Sequence, residues 1–195
     1  MDVSDDLLLW VDVETTALDP DDGELLEVGM ALTDMRGESQ GEPEAWRLHY
    51  PRLVLTRGTM GAVGMHVGNG LIGDVLMEDE PKVATMNRNA VRRMDEWVRQ
   101  ATHGRAGSVH VAGRNPQFDM RWLRAKLKAY DVDVDLWNLS HRRMDITAIV
   151  LMCETVGLGE RLRDSVERTN HRALSCISEE IGVYRNAVGL LESLA

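Results

Sequence analysis

A short apolar run that carries one acidic residue is the feature that most constrains the fold of this chain. Residues 7–13 read Leu-Leu-Leu-Trp-Val-Asp-Val. A continuous apolar run of this length is typical of a strand that is buried on both faces at the centre of a sheet. Side chains alternate along a strand, so Asp12 and Glu14 are predicted to project from the same face at its end. For this segment alone, a strand that surfaces at Asp12 and leaves both acids solvated is the alternative.

The remaining elements follow in an order that is typical of an α/β protein. Strands are predicted at 25–33, 45–50 and 108–112, and the first two form an antiparallel meander around Gly37. Helices are predicted from Pro81, from Pro116, over 146–156, and at the C-terminus, where the apolar stripe is Leu174, Ile177, Ile181, Tyr184, Val188 and Leu191. The glycine-rich segment 56–73 is predicted to be irregular or mobile. The 195 residues are therefore expected to form one domain, a sheet covered by helices.

Composition excludes several classes of protein. The two cysteines, Cys153 and Cys176, form no CxxC pair, which argues against a disulfide framework or a zinc ribbon and favours a reducing compartment. No apolar run approaches the length that spans a bilayer. The acidic start, residues 1–6, lacks the basic residues of a signal peptide. These features predict a cytoplasmic protein that has no membrane partner.

Charge is distributed unevenly along the chain, whose net charge is −10. Residues 1–45 hold 14 acidic residues and one basic residue, whereas 86–130 hold ten basic residues and three acidic ones. Ordinary solvated helix faces explain such a pattern, and this is the default interpretation. The functional alternative is a basic surface for phosphates beside an acidic pocket that requires cations.

Two further residues extend the candidate site. In residues 113–119, Gly-Arg-Asn-Pro-Gln-Phe-Asp, a strand ends and Asp119 falls in the first turn of a helix, where an acid also simply favours the helix dipole. His171 lies at the start of the last helix, off its apolar stripe. Histidine titrates near neutrality, so it can act as a general base, although an exposed histidine without a role is the alternative.

Together and in this order, these segments resemble the motifs of the DEDDh 3′→5′ exonucleases, and most closely those of the oligoribonuclease family. Residues 10–19, Trp-Val-Asp-Val-Glu-Thr-Thr-Ala-Leu-Asp, are similar to W-x-D-x-E-x-T-G-L-D, with Ala17 in place of glycine. Residues 115–119 are similar to N-x-x-F-D, and 171–173 to the start of H-x-A-x-x-D. Further landmarks of the family are matched at His66, Gly70-Leu71, 145–147, 177–179 and 184–186.

The resemblance implies a ribonuclease H-like fold, a mixed β-sheet flanked by α-helices, and a two-metal mechanism that releases nucleoside 5′-monophosphates. It implies two divalent ions, Mg²⁺ or Mn²⁺. The residues implied are Asp12, Glu14 and Asp119 as catalytic metal ligands, position 176 as a further ligand, His171 as the base, and Leu18, Thr15, His66 and Asn115 at the substrate. The expected substrates are single-stranded RNA or DNA 3′ ends and short oligonucleotides. The expected assembly is a homodimer, for which the segment 56–73 and exposed aromatic residues such as Trp137 are the candidate interface, unless they cover the protein's own core.

Two departures from the family pattern bear on activity. The final aspartate of the third motif falls on Cys176, and a thiol is a poor ligand for Mg²⁺. Glu179 or Glu180 can replace it from the same helical face, or activity is weakened and favours Mn²⁺, or the chain only binds nucleic-acid ends. The family's tryptophan that stacks on terminal bases opposite Leu18 falls on Gly61. A DNA-directed exonuclease is a second alternative.

Overall fold

The centre of the fold is a five-stranded mixed sheet with the strand order β3-β2-β1-β4-β5. The computed structural model describes residues 5–54 and 59–193. The strands are β1 Leu7–Thr15, β2 Leu25–Asp34, β3 Glu44–Arg47, β4 Val109–Gly113 and β5 Arg143–Asp145. β1 pairs antiparallel with β2 and parallel with β4. The prediction that residues 7–13 form the central strand is therefore confirmed, whereas the third strand ends at Arg47 instead of Tyr50.

Helices cover both faces of this sheet. They are α1 Met60–Gly68, α2 Leu71–Val75, α3 Glu80–Thr102, α4 Pro116–Leu127, α5 Ile146–Thr155, α6 Gly159–Leu162 and α7 Ala173–Glu192. The starts predicted at prolines hold: Pro81 lies in the first turn of α3, after the Asp79 side chain that caps it, and Pro116 begins α4. No helix within the described ranges is long and apolar enough to cross a lipid bilayer.

The alternation of side chains along β1 separates two cores and positions the acids. Leu7, Leu9, Val11 and Val13 pack with α3 and α4. Leu8 and Trp10 pack with α5, α6 and α7 on the other face, where the Trp10 ring meets the edge of Tyr184 at 5.5 Å between centroids. Asp12 and Glu14 continue the second series, so they project towards α7 where the apolar packing ends.

Two sequence-based interpretations were wrong and a third was right only in part. The segment 56–73 was expected to be irregular, but Val63 and His66 of α1 and Leu71 and Val75 of α2 are buried; residues 55–58 lie outside the described part. Five residues of the predicted stripe of α7 lie in or against the core and only Leu191 is exposed, but the centre of the buried face is rotated and consists of Ala173, Ile177, Glu180, Val183, Tyr184 and Ala187. Trp137 was taken as an exposed aromatic residue, yet it is fully buried and its indole donates to Asp95.

Candidate active site

Three side chains meet where β1 ends beneath the first turn of α7. One ligand atom each from Asp12, Glu14 and Cys176 lies within 4.8 Å of the other two. The pair predicted from the sequence therefore shares one face of β1, and α7 brings position 176 to it. The alternative that both acids are solvated is wrong, because Glu14 is buried and Asp12 Oδ2 is enclosed by protein.

The carboxyls of this cluster are held in an environment that disfavours their charged forms. Burial, and then the charges of Glu14, Asp119 and Glu180, raise the pKa of Asp12 well above its ordinary value. Burial also raises the pKa of Glu14 to about 7, against an opposing hydrogen bond from Cys176. Among the described residues, Asp12 Oδ2 has no hydrogen-bond partner. Such an arrangement is stable at neutral pH only with bound protons or a cation.

Asp119 joins the site from α4, and its charge acts on Asp12. It lies in the first turn of α4, as predicted, and is buried there. Its Oδ1 accepts a hydrogen bond from the Val13 backbone N–H at 3.1 Å, which fixes the carboxylate against the end of β1. Burial raises the pKa of Asp119 to about 8, and the charge of Glu180 contributes to the shift.

The Cys176 thiol is a neutral member of the cluster. Its Sγ lies 3.0 Å from Thr169 Oγ1 and 3.7 Å from Glu14 Oε1. Burial, together with the negative charge of Asp12, raises the pKa of this thiol well above its ordinary value. At neutral pH position 176 therefore supplies a hydrogen-bonding S–H group instead of an anion.

His66 approaches the same carboxylate from α1. Its Nε2 lies 3.2 Å from the Thr15 carbonyl oxygen and 3.5 Å from Glu14 Oε2. A carbonyl oxygen only accepts, so Nε2 carries the hydrogen in this contact. Burial lowers the pKa of His66, which therefore stays neutral while it orients Glu14. The structure thus brings two of the predicted substrate residues, His66 and Thr15, to the cluster.

The start of α7 is fixed against β2 by Glu27, a residue that the sequence analysis did not single out. The buried Glu27 carboxylate accepts from the Arg172 guanidinium at 2.8 Å and from the Ala173 N–H at 3.0 Å, so it satisfies the first turn of the helix. Gly29 permits the close approach, because a Cβ there would lie 2.8 Å from the Ala173 Cβ. An acid in an otherwise apolar strand was the available signal.

His171 precedes this anchored turn and has a backbone φ of 56°. Its side chain is exposed, its N–H donates to Thr169 Oγ1, and its carbonyl oxygen accepts from the Asn69 side chain. Its charge also contributes to the low pKa of His66, so the two rings are electrostatic neighbours, although burial is the larger cause. The imidazole is thus accessible to water and substrate beside the cluster.

The arrangement fits a divalent cation. Burial has removed the solvent from several carboxylates, and their mutual repulsion is relieved only by a positive charge or by protons. Asp12, Glu14 and Asp119 present hard oxygen donors of the type that Mg²⁺ and Mn²⁺ prefer. The unpartnered Asp12 Oδ2 is the atom that such an ion would satisfy.

The chain is similar in sequence to known oligoribonucleases. No family model matches the chain. The oligoribonuclease of Haemophilus ducreyi is 25% identical over 179 residues, 89% of this chain and 88% of its own length. That of Chromobacterium violaceum is 26% identical over 174 residues, 89% of each chain.

Solved structures agree in fold. E. coli exonuclease I in a zinc-bound complex with single-stranded DNA has a TM-score of 0.68 at 18% identity, over 97% of this chain. Exonuclease I of Methylocaldum szegediense has a TM-score of 0.64 at 19% identity, over 96%. This chain spans 42% and 41% of those two proteins. The chain is similar in sequence to oligoribonucleases and in fold to exonuclease I, and these similarities support a member of the DEDDh superfamily of 3′→5′ exonucleases.

The two remaining predicted substrate residues, Leu18 and Asn115, are exposed. Leu18 is 80% exposed beyond the end of β1, and its carbonyl oxygen accepts from Arg121. Asn115 caps α4 with a φ of 54°, is exposed, and donates its N–H to Asp145. A Cβ on Gly61 would meet no atom within 4 Å, so the position of the family's stacking tryptophan is open space.

Glu180 is an additional acid at the site that the DEDDh pattern does not include. Glu180 lies one turn after Cys176 on α7 and is only 4% exposed. Burial raises its pKa to about 7, although hydrogen bonding by the Arg114 N–H opposes this. Helical spacing predicted that Glu180 lies on the same face of α7 as position 176. The observed orientation of α7 about its axis is what turns Glu180 towards the interior.

Proposed function

We propose that this chain is a metal-dependent 3′→5′ exonuclease that hydrolyses RNA or short oligonucleotides from the 3′ end to nucleoside 5′-monophosphates. The observation that carries the proposal is the buried cluster of Asp12 and Glu14 beside Asp119, with one carboxylate oxygen left unpartnered. Buried acids of this kind destabilise a fold unless they hold a cation.

The proposed roles follow from the positions of the side chains. Asp12, Glu14 and Asp119 would hold two divalent cations, which supply charge neutralisation at the phosphate and a more acidic attacking water. His171, exposed at the start of α7, would take the proton of the attacking water. His66 and the Thr15 carbonyl keep Glu14 oriented, and exposed Leu18 offers an apolar surface to the terminal base.

The choice between RNA and DNA is part of the proposal. The oligoribonucleases that match over most of their length support RNA and short oligonucleotides. The exonuclease I structures in complex with single-stranded DNA support the second candidate, a DNA 3′→5′ exonuclease. A third, an end-binding protein without hydrolysis, is favoured by the thiol at position 176.

A time course with 5′-labelled RNA and DNA oligonucleotides of one sequence tests these candidates. We expect ladders that shorten from the 3′ end with Mn²⁺, more slowly with Mg²⁺, and not at all with EDTA, because Mg²⁺ demands a nearly ideal octahedron of hard ligands. Asp12→Asn should abolish the ladder. Hydrolysis that persists in EDTA or in Asp12→Asn would overturn the metal mechanism, and binding without hydrolysis in both metals would favour the end-binding protein.

Assembly and extent complete the proposal. A homodimer and a single exonuclease domain over residues 1–195 stay predictions from the resemblance. Trp137 no longer supports an interface, since it is buried within its own chain. A sedimentation mass near 21.9 kDa would reject the dimer.

A further inference from the structure

Glu180 is a buried acid on the apolar face of a helix, where an unsatisfied carboxylate is costly. One oxygen, Oε1, accepts from the Arg114 backbone N–H at 3.2 Å. The other, Oε2, has no partner among the described residues. The Arg114 guanidinium donates to Glu179 at 2.8 Å and stays 3.9 Å from Glu180. One oxygen of the Glu180 carboxylate, Oε2, therefore has no hydrogen-bond partner among the described residues.

The unpartnered oxygen lies at the end of β4, next to β1. A Cβ on Gly113 would lie 3.5 Å from Glu180 Oε2 and 2.9 Å from the Val11 carbonyl oxygen, so the absence of a side chain at 113 keeps this space open. The charge of Glu180 acts on both Asp12 and Asp119. Glu180 thus lies within electrostatic reach of both acids from the end of β4.

We infer that Glu180 supplies the carboxylate that position 176 lacks, displaced by one turn along α7, and that it helps to hold the divalent cations. This inference rests on the proposed function. The site then keeps four carboxylates, those of Asp12, Glu14, Asp119 and Glu180. Position 176, occupied by a neutral thiol, then does not need to supply a hard ligand.

A structural role for Glu180 explains less of the arrangement. Accepting one hydrogen bond from Arg114 requires a single oxygen, which glutamine would provide without a charge. A charge is unfavourable beside Asp12 and Asp119 unless a cation is bound there. Apart from its long ion pair with the Arg114 guanidinium at 3.9 Å, the negative charge therefore has a use only when a cation is bound.

Glu180→Gln separates the two roles, and Glu179→Gln is the matched control. The control removes the same charge one residue away, from a side chain that contacts Arg114 and Thr169. By titration calorimetry with Mn²⁺ alone, Glu180→Gln should bind at least about tenfold more weakly, roughly 1.4 kcal/mol. Glu179→Gln should match the wild type. The metal-free unfolding midpoint of Glu180→Gln should be equal to or above that of the wild type, because a repulsion is removed.

Moving the charge back provides the second test. In the double variant Cys176→Asp with Glu180→Gln, the carboxylate returns to position 176, and Mn²⁺ affinity should recover. Wild-type affinity in Glu180→Gln, with or without a lower unfolding midpoint, would overturn the inference and assign Glu180 to Arg114. If Asp12→Asn nevertheless abolishes Mn²⁺ binding, the proposed function stands. Absence of Mn²⁺ binding in the wild type overturns both.

Discussion

The Cys176 Sγ lies 3.7 Å from Glu14 Oε1, so a thiol contacts the carboxylate of the central strand where the third motif of the superfamily has an aspartate. Burial raises the pKa of that thiol and keeps it protonated. The contact is therefore a hydrogen bond from a neutral group, and it contributes no charge for a cation. Glu14 thus lacks the neighbouring anion of that motif, whereas the charge of Glu180, one turn further along α7, acts on Asp12 and Asp119.

Restoring aspartate at 176 alone should consequently gain little. Cys176→Asp adds a fifth carboxylate beside Asp12 and Glu14, so it should lower the unfolding midpoint of the metal-free protein. We expect the single-turnover rate in Mg²⁺ to change by less than about threefold. Cys176→Ser, which removes the sulfur without adding charge, is the control. A Mg²⁺ rate raised more than about tenfold would mean that Glu180 does not replace the missing ligand.

The central position of β1 and the placement of its acids were predictable because they depend on local periodicity. Seven successive residues with one acid define a buried strand, and the period of two places Asp12 with Glu14. The role of Glu180 was not predictable in the same way. The apolar positions of α7 favour a stripe through Leu174 and Leu191, but Leu191 is 61% exposed. The contact of Ala173 with Gly29 fixes a different rotation, and contacts between distant segments are not encoded in the periodicity of one helix.

Stability of the metal-free protein should fall as the pH rises. Burial raises the folded-state pKa of Glu14 and Glu180 to about 7 and of Asp119 to about 8. Groups whose pKa is raised in the folded state bind more protons in that state than in the unfolded one. The stability that these protons contribute is complete below the unfolded-state pKa values of about 4, and it is lost as the pH rises through 7 to 8. Melting in EDTA from about pH 6 to about pH 9 should show a falling midpoint.

Two comparisons assign that fall to the cluster. Asp119→Asn should flatten it in part, because one of the titrating groups is removed. Saturating Mn²⁺ should raise the midpoint most at the alkaline end, where the carboxylates are ionised and bind the cation. A midpoint in EDTA that is constant or rises over this range would contradict the protonated, buried state of these acids.

His171 should matter for the rate and not for metal binding. Its ring is exposed at the start of α7, where it reaches a bound water more readily than a buried ion. We expect His171→Ala to slow single-turnover hydrolysis in saturating Mn²⁺ by about 10²–10⁴-fold, the usual contribution of a general base. Calorimetry should give an unchanged Mn²⁺ affinity. His103→Ala, at an exposed histidine after α3, is the control, and equal rates in the two variants would remove His171 from the mechanism.

The glycine-rich segment gave the wrong structural expectation, and the reason is tertiary. Glycine disfavours helices in isolation. In α1, however, Val63 and His66 are buried, and the His66 ring is held by the Thr15 carbonyl oxygen next to Glu14. Packing between distant segments thus outweighs the local helix propensity. The glycines of this helix leave parts of its surface without side chains.

The open space at Gly61 leads to a prediction about substrate length. A Cβ on Gly61 has no neighbour within 4 Å, and Leu18, the other side of the family's stacking pair, is 80% exposed. Stacking of a base on an aromatic ring contributes about 1–3 kcal/mol. Without it, the wild type should hydrolyse RNA dinucleotides and longer oligonucleotides with similar kcat/KM. Gly61→Trp should raise the preference for dinucleotides by about tenfold.

The double variant Gly61→Trp with Leu18→Ala is the control for this effect. A terminal base is sandwiched only when both surfaces are present, so removal of the leucine side chain should cancel most of the gain from tryptophan. A general increase in nucleic-acid affinity would instead raise kcat/KM for all lengths and persist without Leu18. Competition between labelled dinucleotide and heptanucleotide in one reaction measures the ratio directly. A ratio unchanged by Gly61→Trp would show that the terminal base does not lie between positions 18 and 61 in this chain.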